Sequence, residues 1–148
     1  MPMKTHIPIE VIKLEDASYH IMVKARFGKK VQGNLIIDTG ASKTVFDQSL
    51  GTKLKVKMEE VPDQDSSGIN AMIPHAFKGE IEKFQIGDLK LKNIISVFLD
   101  LSHINQLYEK YTNTQITGLL GSDFLVSHKA VIDYTHKKLT LSYKKRGS

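Results

Sequence analysis

Apolar and polar residues alternate along most of the chain, which is the pattern of β-strands that bury one face. The predicted strands lie at about 7–14, 19–27, 31–37 and 54–58, then at 81–86, 89–91 and 94–99. A C-terminal hairpin is predicted from 131–133 and 139–143, with its turn at 136–138. The pattern therefore indicates a chain built mainly of strands.

One segment has a helical period. Apolar residues recur at helical spacing between positions 101 and 111, namely Leu101, Ile104, Leu107, Tyr108 and Tyr111. Asp100 or Ser102 would cap this helix. Residues 59–68 are polar and include Pro62 and Gly68, so a loop is predicted there. No repeat or linker divides the chain, and a single domain over 1–148 is expected.

The apolar run Leu35-Ile36-Ile37 leads directly into Asp38-Thr39-Gly40-Ala41-Ser42. Asp and Gly are poor strand residues, so a strand that ends in this way is stopped at a defined point. Asp-x-Gly sequences form turns in many proteins, and spacing alone is equally consistent with a simple turn.

The segment Ile36–Ser42 resembles the active-site motif of retropepsin-like aspartic proteases, and the similarity continues through residues 43–46. A second motif of that family is similar to residues 119–125, Leu-Leu-Gly-Ser-Asp-Phe-Leu. Both motifs stand in the family's order in one short chain. The resemblance implies an all-β, closed barrel-like fold with one or two short helices, formed by a single retropepsin-like domain over 1–148.

The resemblance also implies roles for the residues of both motifs. Asp38 would be the catalytic carboxylate, and the residues supporting its loop would be Thr39, Gly40, Ala41 and Ser42. Thr39 would lock two active-site loops together, and Ser42 would hydrogen-bond the outer carboxylate oxygen of Asp38. The supporting residues of the second motif would be Leu119, Leu120, Gly121 and Asp123. On its position before an apolar stretch, Asp123 is itself interpreted as a helix N-cap.

Peptide hydrolysis by this route needs two carboxylates, one as general base and one as general acid. The chain has one such pentapeptide, since Asp133 is followed by Tyr134 and Thr135 instead of Thr and Gly. The second Asp38 would therefore come from another copy, in a homodimer with two-fold symmetry.

The segment from about 60 to 79 lies where family members carry a flap over bound peptide, although a surface loop would explain it equally well. Its candidate substrate-binding residues are Gly68, Ile69, Met72 and Ile73. Family flaps are richer in glycine at the tip.

Composition narrows the classes of function. The 148 residues include no cysteine, which excludes disulfides, thiol catalysis and cysteine-ligated zinc. The six histidines are scattered, so no metal site is expected, and the resemblance implies no cofactor. The net charge of +5 is spread along the chain without interleaved aromatic residues, so no nucleic-acid partner is expected. No membrane-spanning run or signal peptide is visible, and a cytoplasmic location is expected.

The sequence thus predicts an aspartic endopeptidase that hydrolyses extended peptides with a water activated by an Asp dyad. The alternative is a catalytically inactive module of the same fold that serves for dimerisation or peptide binding.

Overall fold

Strands are the main secondary structure in the computed structural model, which describes residues 2–61 and 75–144. The strands are β1 (Pro2–Pro8), β2 (Glu10–Lys13), β3 (Tyr19–Arg26), β4 (Gln32–Ile37), β5 (Val45–Asp47), β6 (Glu59–Glu60), β7 (Phe77–Ile86), β8 (Leu89–Leu99), β9 (Gly118–Leu120), β10 (Val131–Asp133) and β11 (Lys138–Lys144). The helices are α1 (Gln48–Lys53), α2 (Ser102–Tyr111) and α3 (Ser122–Ser127), with a 3₁₀ turn at Glu15–Ala17.

Six strands close into a barrel. Their order is β3-β4-β9-β5-β8-β7, and β7 returns to β3 where Gln85 pairs with Arg26. β2 and β6 extend this sheet beyond β3 and β7. A second sheet has the order β1-β11-β10 and joins the two ends of the chain. The predicted all-β, closed barrel-like fold with short helices is confirmed.

The barrel interior is filled by aromatic and aliphatic side chains. Phe27 and Phe46 meet edge to face with their ring centroids 5.6 Å apart, and Phe84 lies 5.4 Å from Phe27. Burying each such side chain stabilises the fold by about 1.5–3 kcal/mol. A smaller cluster lies outside the barrel, where Tyr108 of α2 packs against Ile36 of β4.

Strand β4 is covered on both faces. Leu35 and Ile37 belong to the barrel core, whereas Ile36 points into the cluster beneath α2. A strand covered on both faces has a continuous apolar sequence instead of an alternating one. This explains the run Leu35-Ile36-Ile37 immediately before Asp38.

Three sequence-based boundaries change. The predicted strand at 7–14 is interrupted at Ile9, and its halves join different sheets. The separate strands at 89–91 and 94–99 are one strand, β8. The predicted strand at 54–58 was wrong, because this segment follows the unpredicted helix α1, and its alternation reflects an irregular stretch with Leu54, Val56 and Met58 against the core.

The C-terminal hairpin and the helix at 101–111 were predicted correctly. β10 and β11 pair antiparallel, with Ile132 opposite Leu139. In α2 the N-cap position is held by Leu101, and Asp100 accepts a hydrogen bond from Ser102 N at 2.9 Å. Asp100 therefore satisfies one of the free amides at the start of the helix, as expected of a capping side chain.

Candidate active site

The Asp38 loop begins where β4 ends. Ala41 N donates to Asp38 O at 3.1 Å, which closes a tight turn, and Gly40 N donates to Asp38 Oδ1 at 3.1 Å. The simple turn considered for Asp-x-Gly is thus present. It also holds the Asp38 carboxylate in a fixed position, half-buried at the start of the loop.

The two sequence motifs meet through strand β9, which lies between β4 and β5. β9 runs parallel to β4, with Ile37 opposite Leu120, and antiparallel to β5. Asp38 N continues the ladder by donating to Leu120 O at 2.9 Å. The residue that carries the carboxylate is therefore fixed by a main-chain bond to the second motif.

Gly121 brings the second motif close to the other side of the loop. Its N–H donates to Thr44 Oγ1 at 2.9 Å, and the next amide, Ser122 N, donates to Ala41 O at 2.7 Å. A Cβ at position 121 would stand 2.7 Å from Lys43 O and 2.9 Å from Ala41 O. Only glycine allows the two segments to approach this closely.

Asp123 connects α3 to the far end of the loop. Its Oδ1 atom accepts from Thr44 N at 3.0 Å, from Thr44 Oγ1 at 2.8 Å and from Phe124 N at 2.7 Å. The N-cap position of α3 belongs to Gly121, so the interpretation of Asp123 as the N-cap was wrong. Its carboxylate accepts hydrogen bonds from Thr44 as well as from the first turn of its own helix.

The remaining motif residues differ in burial. Leu120 is fully buried in the barrel and Leu119 packs on the outer cluster, as predicted for core residues behind the loop. Thr39 and Ser42 are exposed. Between the described residues Ser42 and Asp38 the expected hydrogen bond is absent, and Asp38 Oδ1 accepts from Gly40 N instead. The role of Thr39 across two loops stays a prediction.

A cleft of about 380 Å³ opens beside Asp38 and Thr39. One wall is α2, with Leu107 and Tyr108. Residues from two other parts of the chain also line the cleft, Tyr19 with His20 and Ile132 with Tyr134. The Asp38 carboxylate thus borders a largely apolar depression on the surface of the protein.

Tyr108 and His20 form a polar pair within this wall. The Tyr108 hydroxyl lies 2.7 Å from His20 Nδ1, and burial raises the pKa of Tyr108 to about 12. The phenol therefore stays neutral and bonded in place. From the sequence, Tyr108 was interpreted as a packing residue and His20 as an isolated one. Their contact was missed because residues 88 positions apart share no local sequence pattern.

Asp47 was also missed, although its position just before helix α1 is typical of an N-cap. It is 9% exposed, and its Oδ1 atom accepts from Leu101 N at 2.8 Å. Its Oδ2 atom accepts from Ser49 N at 3.1 Å and from the Ser49 hydroxyl. One carboxylate thus ties the strand that leaves the active-site loop to the start of α2.

The candidate flap residues Gly68, Ile69, Met72 and Ile73 lie outside the described residues. The described flanks of that segment form a narrow hairpin base, with Glu60 opposite Phe77 and Val61 N donating to Ala76 O at 2.8 Å. A flap over the groove stays a prediction.

Within residues 2–61 and 75–144, no group of three or more His, Cys, Asp or Glu side chains is arranged to hold a metal ion. In the same part of the chain, no helix has the length and apolar character needed to cross a bilayer.

The sequence profile of the family described as aspartyl protease matches residues 23–124. A retropepsin-like aspartic protease from Rickettsia conorii has a similar structure, with a TM-score of 0.57 and 19% identity over 97% of this chain and 94% of that chain. The retroviral protease-like domain of Ddi1 from Leishmania major aligns with a TM-score of 0.52 and 14% identity, over 81% of this chain and 86% of that one. No protein with a curated function matches the sequence significantly.

Proposed function

Since the chain belongs to the aspartyl protease family and has the retropepsin-like fold, we propose that it is an endopeptidase whose catalytic dyad forms in a homodimer. Asp38 of each copy would supply one carboxylate. The substrate would be an extended peptide or protein segment, and the nucleophile would be a water molecule.

Two carboxylates at about 3 Å cannot both be ionised, and the dyad of aspartic proteases is itself the reference case for this behaviour. The pair shares one proton, so an acid and a base coexist at one pH. The ionised Asp38 removes a proton from the water as its oxygen attacks the peptide carbonyl, while the partner's Asp38 gives its proton to the carbonyl oxygen. Collapse of the tetrahedral diol then breaks the C–N bond. The amine leaves with the proton held by Asp38, and one diol hydroxyl returns its proton to the partner's Asp38, so the dyad again shares one proton.

The observation that carries the proposal is the way in which the Asp38 loop is held. Main-chain bonds fix it at Asp38 N and at Ala41 O, and Thr44 is fixed by Asp123 and Gly121. A catalytic carboxylate must keep its position to within about 0.5 Å to react efficiently. A surface turn without a function has no need of such restraint on both sides.

Substrate would bind in extended form, adding a strand beside the loop and the predicted flap. In this mode main-chain hydrogen bonds give affinity, and pockets for alternate side chains give specificity. The flat, exposed main chain at Thr39 and Gly40 leaves room for such an approach, since a Cβ on Gly40 would meet only Asp38 Oδ1, at 3.6 Å.

The test is cleavage of a diverse pool of unstructured peptides from acidic to neutral pH by the parent protein, Asp38→Asn and Asp88→Asn. Asp88 is an exposed aspartate in the β7–β8 turn and makes the same charge change away from the loop. We expect Asp38→Asn to lower kcat by roughly 10⁴-fold or more, by analogy with other catalytic carboxylates and nucleophiles, while Asp88→Asn cleaves normally.

The rate should also rise faster than linearly with protein concentration in the range where the dimer forms. Equal cleavage by the parent and Asp38→Asn would contradict the proposed role of Asp38. A dimeric parent that cleaves nothing would favour the inactive binding module.

A further inference from the structure

Basic side chains surround a second cleft, where β3 closes the barrel against β7. This basic cleft has a volume of about 500 Å³, and no carboxylate is among the described residues that line it. Five of these nine lining residues are exposed cations, namely Arg26, Lys29, Lys83, Lys90 and Lys92. Within residues 2–61 and 75–144, none of the five forms a salt bridge. The basic cleft therefore concentrates positive charge that has no ion-pair partner in the described part of the chain.

The register of three neighbouring strands brings these cations together. Gln85 of β7 pairs with Arg26 of β3 on one side and with Lys90 of β8 on the other. Two residues along, Lys83 of β7 pairs directly with Lys92 of β8. Residues two apart in a strand point to the same face of the sheet, so cations from three strands share one part of the barrel's outer surface.

The pairing of Lys83 with Lys92 is unfavourable for the fold itself. Side chains directly opposite in an antiparallel pair have Cβ atoms about 4.5–5.5 Å apart, and like charges in such a pair are destabilising. Protein surfaces usually mix charges of both signs, whereas a field of one sign attracts an oppositely charged partner. The arrangement therefore indicates a binding surface for an anionic partner.

The chemistry of the basic cleft favours the carboxylates of a peptide over a nucleic acid. Proteins that hold single-stranded nucleic acid stack its bases on exposed aromatic rings. The one aromatic side chain among the described lining residues, Phe84, is 2% exposed, so its ring offers no such surface. Double-stranded DNA is read by elements that project into its grooves, whereas these cations line a recess. The proposed activity also acts on proteins.

We propose that the basic cleft binds an acidic segment of a substrate protein, with Asp and Glu carboxylates held between Arg26, Lys83 and Lys92. The inference rests on the proposed function, which makes the partner a protein. Arg26 pairs with Gln32, the first residue of β4, and Asp38 follows the last residue of that strand. The basic cleft and Asp38 are thus separated along β4 by roughly 20 Å. An extended substrate would carry its acidic residues at least about six residues from the cleaved bond.

Binding is measured with two labelled peptides that differ only in charge, a Glu-Gly repeat and a Gln-Gly repeat. Fluorescence anisotropy gives the Kd of each peptide for the parent and for two double variants. Lys83→Gln with Lys92→Gln removes the facing pair of the basic cleft. Lys13→Gln with Lys78→Gln makes the same change in net charge at exposed strand lysines that do not line it. A labelled single-stranded oligonucleotide is the third probe.

We expect the parent to bind the Glu-Gly peptide roughly tenfold more tightly than the Gln-Gly peptide, as for a few exposed ion pairs acting together. The variant of Lys83 and Lys92 should lose most of this preference and the control variant should keep it. Added salt should weaken the preference, because exposed charges are screened. A Glu-Gly peptide that binds all three proteins equally, or no better than Gln-Gly, would overturn the inference. Tighter binding of the oligonucleotide through Lys83 and Lys92 would identify nucleic acid as the partner and overturn it too.

Cleavage kinetics separate this inference from the proposed function. A peptide that the parent cleaves is extended at either end with a Glu-Gly or a Gln-Gly tail. We expect the Glu-Gly tail to lower KM and leave kcat unchanged, because a remote contact binds substrate and transition state equally. The variant of Lys83 and Lys92 should lose this gain.

The two hypotheses fail in different ways. Cleavage without any preference for an acidic tail would overturn the inference and leave the peptidase standing. Tight binding of the Glu-Gly peptide through Lys83 and Lys92, without cleavage of any peptide, would refute the peptidase and leave the basic cleft as a docking site for an acidic protein segment.

Discussion

Thr44 and Asp123 lie 79 residues apart in the chain, yet a single carboxylate oxygen of Asp123 accepts both the amide and the hydroxyl of Thr44. The same hydroxyl accepts from Gly121 N. These three hydrogen bonds fix the end of the Asp38 loop to the start of α3. Charged acceptors make the stronger kind of hydrogen bond, so the contact is suited to holding a loop that has few apolar residues.

Thr44→Val keeps the shape of the side chain and removes its hydroxyl. Gly121 N then loses its acceptor and Asp123 loses one donor, which should lower the free energy of unfolding by about 1–2 kcal/mol. In the proposed enzyme, kcat should fall with little change in KM, because the loop that carries Asp38 is displaced. Denaturant titration and peptide kinetics measure the two effects.

Thr52→Val is the control for that variant, since the Thr52 hydroxyl is exposed and makes only a long contact of 3.4 Å to Gln48 O. The double-mutant cycle with Asp123→Asn should give a coupling energy of about 0.5–3 kcal/mol, as for residues in one network. Purely additive effects would contradict the described network.

Gly121→Ala should disrupt the junction by steric contact. Its Cβ would lie 2.6–2.9 Å from the main chain of Lys43 and Ala41, which belongs to the Asp38 loop and cannot move aside without distorting that loop. A loss of about 1–3 kcal/mol in stability is expected, as for other overpacked sites. Loss of peptide cleavage should accompany it.

Gly40→Ala provides the contrast, because the space around Gly40 is open apart from Asp38 Oδ1. Its stability should change by no more than about 0.5 kcal/mol. Thermal unfolding of both variants distinguishes a glycine required by the fold from one required only where substrate approaches. A stability loss as small for Gly121→Ala as for Gly40→Ala would show that the junction at Gly121 is looser than described.

Asp100 makes the stability of the start of α2 depend on pH. The amide of Ser102, then its hydroxyl, hydrogen-bond the carboxylate and lower the pKa of Asp100 below its ordinary value of 3.8. The folded state therefore favours the ionised form. This contribution to stability is complete above the ordinary value and is lost as the pH falls through the lowered pKa.

Asp100→Asn should accordingly be less stable than the parent at neutral pH, and the gap should narrow in acid below pH 3.8. Chemical denaturation monitored by circular dichroism at a series of pH values measures this difference. Glu109→Gln removes a carboxylate from the other end of α2 and controls for the change in net charge. A gap that widens in acid would contradict the assignment.

Much of this architecture could be predicted from the sequence. Most strands show alternating apolar and polar residues, and each of the two motifs is an unbroken stretch of sequence. The exceptions have physical causes. α1 has six residues, too few for a helical period, and Leu54–Met58 alternates although it is irregular, since one side of it lies on the core. The bond from Leu101 to Asp47, and the pair of Tyr108 with His20, were not predicted because these partners are distant in sequence and are brought together by the fold alone.

The Asp38 loop and strand β9, which holds it, lie far apart in the sequence. This separation determines when the loop can assemble during synthesis. Leu35 pairs with Gly118, and Asp38 N donates a hydrogen bond to Leu120 O, so the Asp38 segment is synthesised well before the strand that holds it. At about 5–20 residues per second, several seconds of translation separate the two. An emerging chain therefore carries Asp38 on an unassembled segment until β9 and α3 have left the ribosome.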